Sequence, residues 1–222
     1  MADYEALKNK QTELIRKALD GSVFVADVTA AAITNLTTYT AGPPAVIDLT
    51  PLPTDYDDLG WLTNDGAQFS RDVSASEVTS WGSVTPTRTD VTSDSTTMTV
   101  TAQETKLLTI GMATGADLSG ITPAVNTGEV SIAKPARPKS KHYRVLSLAV
   151  DQGDAGEIYI ARFLPRAKVT GYSEQSFGGG DDPITWGVTM TGEEDSTLGY
   201  SERWIFGGPG WNALLVPMGF TP

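Results

Sequence analysis

The sequence predicts a mainly-β chain: a β-sandwich or barrel with a short flanking helix and an N-terminal helix. Three observations predict it. Met98, Val100 and Ala102 alternate with Thr97, Thr99 and Thr101, giving one apolar and one hydroxyl face at strand period. Near the C-terminus, Trp186–Asp195 alternates into an acidic turn, and Gly199–Gly210 follows as a second strand with a Gly-Pro ending, so the two read as one long hairpin. Six to nine strand-like runs stand against only two segments with helical spacing.

The elements follow in chain order. Residues 3–19 predict a helix: Tyr4, Leu7, Gln11, Leu14, Ile15, Ala18 and Leu19 keep helical spacing with one polar interruption. Asp3 and Glu5 at its start and Arg16 and Lys17 at its end complement the helix dipole, and Gly21 is placed to stop it. The helix is either an arm that docks on a neighbouring subunit or one packed on its own domain. Val23, Phe24, Val25 and Val28 then suggest a short strand. Residues 30–60 form a long Thr/Pro/Gly/Asp-rich connection, in which Val46–Leu49 pairs briefly. A connection of that length inside a compact domain is usually functional or disordered.

Further strands are expected at 69–73 and 87–103, followed by a helix from Glu104 to Met112 that ends at Gly115. Strands at 142–150, 157–164 and 166–177 come next, then a turn at 178–183 and strands at 184–193 and 200–206. The expected organisation is a helical arm at 1–20, a β-domain at 21–210 with its long loop at 30–60, and an apolar tail at 211–222.

With 222 residues the chain is long enough to bury a sizeable core. No run of eighteen apolar residues occurs, so no membrane-spanning helix is expected. The N-terminus mixes acidic and polar residues and does not read as a secretory signal, so synthesis in the cytoplasm is expected. Without cysteine there are no disulfides, thiolate metal sites or thiol nucleophiles. The net charge of −11 is unevenly spread: 0 over residues 1–20, −10 over 21–133, +5 over 134–168 and −6 over 169–222. Such a chain repels nucleic acid apart from its one basic segment.

No constellation points to catalysis, a cofactor or a metal. Asp57-Asp58, Asp181-Asp182 and Glu193-Glu194-Asp195 are adjacent acids, which face opposite ways on a strand or are solvated in a turn; paired catalytic carboxylates come from separate elements facing a cleft. His142 is the sole histidine and reads as a surface residue. Asp151–Glu157 has oxygen ligands at calcium-like intervals but is shorter than an EF-hand loop, and a β-turn explains it more simply. Gly178–Gly180 precedes neither a helix nor a lysine, so it is a hairpin tip and not a phosphate cradle.

Two segments stand out as contact candidates. Lys134, Arg137, Lys139, Lys141 and Arg144 lie in a proline-interrupted basic run suited to an acidic patch on another copy. Trp211, Leu214, Leu215 and Phe220 gather apolar surface at a chain end, which is expected to dock on an adjacent subunit.

Three blocks resemble the major tail proteins, the tail tube subunits, of long-tailed phages. The first is Leu59-Gly60-Trp61-Leu62-Thr63-Asn64-Asp65-Gly66, continuing through Asp72 to Ser80-Trp81-Gly82 and Pro86-Thr87-Arg88. The second is Met98–Thr105 with the helix after it. The third runs from Tyr143-Arg144-Val145-Leu146 through Leu164–Thr170 to Gly207-Gly208-Pro209. The order and spacing of the blocks over about residues 21–210 carry the likeness.

The resemblance implies a β-sandwich flanked by a helix, hexameric rings that stack into a tube, and a continuous inner β-barrel through which the genome passes without specific binding. It implies a virion structural protein with no enzymatic activity, whose partners are further copies of itself and the tail tip, tail terminator and tape measure proteins. The alternative from another class is a β-sandwich glycan-binding or adhesin module, with Trp61, Trp81, Trp186, Trp204 and Trp211 as its aromatic platform.

Overall fold

The computed structural model describes residues 3–137, 141–180 and 182–221. The chain is mainly β, as its texture predicts. Strands β1 (Asp20–Asp27), β4 (Asp57–Asp58), β5 (Gln68–Val78), β6 (Arg88–Ala102), β7 (His142–Gly153), β8 (Gly156–Tyr172), β9 (Trp186–Gly192) and β10 (Arg203–Gly207) form one open sheet. Its order is β4-β1-β7-β8-β9-β6-β5, and β10 adds to β8. Strands β2 (Thr37–Thr40) and β3 (Val46–Leu49) make a separate two-stranded ribbon.

The sheet curls. The segment leaving β4 donates Leu59 N–H to the Val23 carbonyl on β1, and Leu62 bridges Ala102 at the end of β6. One short stretch thus links two edges of the sheet, although among the described residues no regular ladder closes it.

Burial follows strand alternation. Val23 and Val25 join Met98, Val100, Val145, Leu164, Val188 and Met190 in one core, over which lies the helix α2 (Leu107–Thr114) with buried Met112. Phe24 and Ala26, which point the other way, belong to a second core with Leu146, Tyr159, Ala161 and Phe163. The expected helix here is present and ends at Gly115, whose φ of 64° is the left-handed cap that glycine favours. The 30–60 connection covers the second core: Ala30, Ile33, Leu36 and Tyr56 are buried, and the Tyr56 hydroxyl donates to the Ala31 carbonyl at 2.8 Å. Its apolar residues are therefore used within the chain, and the β2–β3 ribbon is its outlying part.

Three sequence expectations need correction. The 3–19 helix is reduced to one turn, α1 (Tyr4–Leu7), and a 3-10 turn at Thr12–Leu14. Tyr4, Leu7, Ile15 and Leu19 are exposed, so no packing face stabilises the helix, and a short isolated helix is marginal in water. Gly21, read as its stop, lies inside β1.

The second correction concerns the predicted C-terminal hairpin. β9 and β10 do not pair with each other; both pair with β8, β9 against Ala167–Tyr172 and β10 against Tyr159–Phe163. They run in the same direction, one after the other along a single edge, separated by an excursion at 193–202.

Pro165 accounts for the break and for the third correction, since the sequence predicts separate strands at 157–164 and 166–177. β8 runs unbroken through this proline, which has no N–H to donate. It sits in the gap between β10 and β9 on one edge and at a register shift opposite Arg144 on the other, so no ladder hydrogen bond is lost. The same bulge resets the alternation, so that Leu164 and Ala167 reach one core.

Helix α3 (Pro209–Ala213) follows β10 and folds back onto β8. Close approach requires glycine there: a Cβ on Gly210 would lie 2.4 Å from the Gly156 carbonyl oxygen and 2.6 Å from Ile158 Cγ1. Gly210→Ala is expected to cost roughly 1–3 kcal/mol, read as a lower urea midpoint, with faster proteolysis in residues 211–221 as α3 lifts.

Candidate functional site

The β5–β6 hairpin outgrows the domain. Beyond its root no residue from 72 to 95 is buried, and at the tip Trp81 and Val84 are fully exposed. The tip is closed by Thr87 N–H donating to the Val78 carbonyl at 2.8 Å and by a Ser80–Thr87 hydroxyl contact at 2.8 Å. A two-stranded ribbon wet on both faces has little to stabilise it alone.

Register separates the ribbon's faces. One carries Ser70, Asp72, Ser74 and Ser76 opposite Thr97, Ser95, Ser93 and Asp90, and it continues onto β9 through Thr189 and Thr191. Hydroxyls bond across it, Thr99 to Thr189 at 3.0 Å and Thr170 to Thr191 at 2.8 Å. The other face carries Arg71, Val73, Ala75 and Val91, with an Arg71–Asp94 ion pair.

A charged clamp fixes the arm's root. The Arg162 guanidinium lies 3.7 Å from the Phe69 ring centroid and 4.1 Å from that of Trp204. Glu202 pairs with Arg162 and accepts the Thr96 hydroxyl at 2.9 Å, tying β8 to β6. From Trp204 the stack continues to Phe206 at 6.0 Å, Trp211 at 4.7 Å from Phe206, and Phe220 at 6.2 Å from Trp211. Sequence reasoning missed this assembly, because Phe69, Arg162 and Glu202 are distant in the chain and belong to no motif.

The contact candidates are placed as follows. Trp211, Leu214 and Leu215 are half-buried, Trp211 against Phe206 of β10, and Phe220 is exposed. Lys134 and Arg137 are exposed, and Lys139 lies outside the described residues. Lys141 is 3.7 Å from Asp27, and Arg144 is taken inward, 3.6 Å from buried Asp195. The five tryptophans do not converge. Trp61 lies beside β4, Trp81 at the arm tip and Trp186 at the start of β9, where its indole N–H donates to Thr105, while Trp204 and Trp211 share the stack.

The acids and the histidine have structural partners. Asp57 and Asp58 are exposed on β4, and Asp181 lies outside the described residues. Glu193 meets the His142 ring at 2.9 Å and Arg166 at 3.4 Å, so His142 is half-buried in an ionic cluster and is not the surface residue expected. Asp195 accepts Thr197 N–H at 2.9 Å and shapes the 193–202 excursion. The Asp151–Glu157 stretch is the β7–β8 turn, and Asp151 holds Arg16. Among the described residues no group of three or more His, Asp or Glu side chains gathers to hold a metal.

One further opening, about 800 Å³, lies between α2 and the start of β7, lined by Leu107, Gly111, Leu118, Tyr143, Val169 and Tyr172. Burial pushes the Tyr143 phenol up to about 12, so it stays neutral.

A family model described as Phage tail tube protein matches residues 8–205. No curated protein matches the chain.

Proposed function

The chain belongs to the phage tail tube protein family and so has a structural role in the virion tail, and from that premise we propose that six copies close into a ring, that rings stack into a hollow tube, and that the tube conducts the genome at ejection. The observation that carries this reading is the β5–β6 arm, exposed on both faces and on its outer edge. Arms laid side by side in a ring satisfy the open backbone groups of β5 and build an inner barrel. The serine, threonine and aspartate face then lines the bore, where hydroxyls hold water and carboxylates repel phosphate. Within that scheme Lys134, Arg137 and Lys139 meet acidic surface of a neighbour, with Lys141 and Arg144 at the inner end of the same run. Trp211, Leu214, Leu215 and Phe220 present the tail to an adjacent copy. Growth starts on a tail tip complex around a tape measure protein and stops at a terminator.

Negative-stain microscopy of the purified protein tests the proposal. Sixfold rings or hollow filaments are expected, alone or on an initiating tip complex. Monomers at every concentration and salt, with the tip complex present, would overturn it.

A further inference from the structure

The groove between α2 and β7 and the N-terminal segment, which forms only two single turns, are at opposite ends of the same strand. Arg16 is 3.3 Å from Asp151, Lys17 N–H donates to the same carboxylate, and Leu19 N–H donates to the Val150 carbonyl, so the segment leaves the domain at the far end of β7. The groove sits at the near end, at Tyr143. Eight residues of strand separate the two, about 26 Å.

Each partner is only partly covered. Helix α2 has Leu107, Leu108, Ile110, Met112 and Ala113 around its circumference, a composition found in helices buried on all sides, yet Leu107 is 62% exposed. The N-terminal segment has Tyr4, Leu7, Leu14 and Ile15 at helical spacing, yet Tyr4 is 68% and Leu7 70% exposed, and only one α-helical turn forms. We infer that residues 3–15 of one copy fold as an amphipathic helix in the α2 groove of the next copy along the stack.

Charge and length select this occupant. Lys141 and Lys168 border the groove on the β7–β8 side, while Asp117 follows α2 and Asp57 lies on β4. The segment likewise carries both signs, Asp3, Glu5 and Glu13 with Lys8 and Lys10, so its acids can meet Lys141 and Lys168. As a helix, residues 3–15 extend about 20 Å from their anchor at Arg16, short of the chain's own groove. A contact with its donor at one end and its receptor at the other is heterologous and propagates as an open stack. Docking would complete the helix that the sequence encodes and the lone subunit does not form.

This inference rests on the tube reading, and its test separates the two. The natural chain has no cysteine, so Leu7→Cys with Leu107→Cys reports the contact alone. Assembled tubes, oxidised and run without reductant, are expected to give a ladder of linked chains continuing past six, while either single variant gives at most dimers. Tubes by microscopy with no ladder, with linkage inside monomers, or with linkage that stops at six would overturn the inference and leave the tube reading intact. Absence of tubes from parent and variant alike would remove both.

Discussion

Replacing residues 72–95 by Asn-Gly, which joins Arg71 directly to its partner Thr96, is expected to abolish tube formation and leave a folded subunit. None of the removed residues is buried, while Phe69, Thr96 and Met98 at the root are kept. Circular dichroism should retain its β signature, and the melting temperature should move by no more than a few degrees. Assembly should fall by more than 100-fold, because the open edge of β5 and both faces of the ribbon are lost together. Tubes formed as readily as by the parent would show that the arm is not the assembling element.

The second large effect is at the clamp. Glu202→Ala leaves the Arg162 guanidinium, held between two rings on a side chain that is 15% exposed, without its counter-ion. Removing one member of such a pair costs about 3 kcal/mol or more. For a domain of this size that is a drop on the order of 10 °C in melting temperature. The double variant Arg162→Met with Glu202→Leu should regain much of the loss, since apolar replacement of both partners removes the desolvated charge. The exposed Arg71–Asp94 pair on the arm is the control: Arg71→Ala should leave unfolding unchanged. Equal losses at the two sites would mean that the clamp's burial contributes nothing.

Local patterns carried much of this into the sequence. The alternation at 97–102 gave β6 its buried and hydroxyl faces, and the apolar run before Gly115 marked α2. Failures arose where a distant partner decides. The apolar spacing of 3–19 encodes a helix, but the lone chain supplies no surface for it. Two runs joined by an acidic turn looked like a hairpin because strand pairing is a tertiary fact: β9 and β10 each find β8 in preference to one another. Pro165 looked like a strand end because its missing donor is harmless only at a gap in the neighbouring ladder. The arm was half legible. The pattern predicts strands at 69–73 and 87–103, but serine and aspartate carry weak strand preference, so it does not show that β5 continues to Val78. Of the site, the basic run and the apolar tail were visible as composition, whereas the clamp joins four separate strands and leaves no local trace.

The unbroken course of β8 has a mechanical consequence. Seventeen residues reach about 56 Å, and this one strand is bonded along both edges, by β7 on one side and by β10 and then β9 on the other. Tension applied along its axis loads those backbone bonds in parallel, so they must shear together. A pull across the strand would peel them one at a time. Resistance to forced extension is set by the barrier to that concerted rupture and not by overall stability. β8 is therefore the cable of the subunit, and a load carried lengthwise meets its strongest direction.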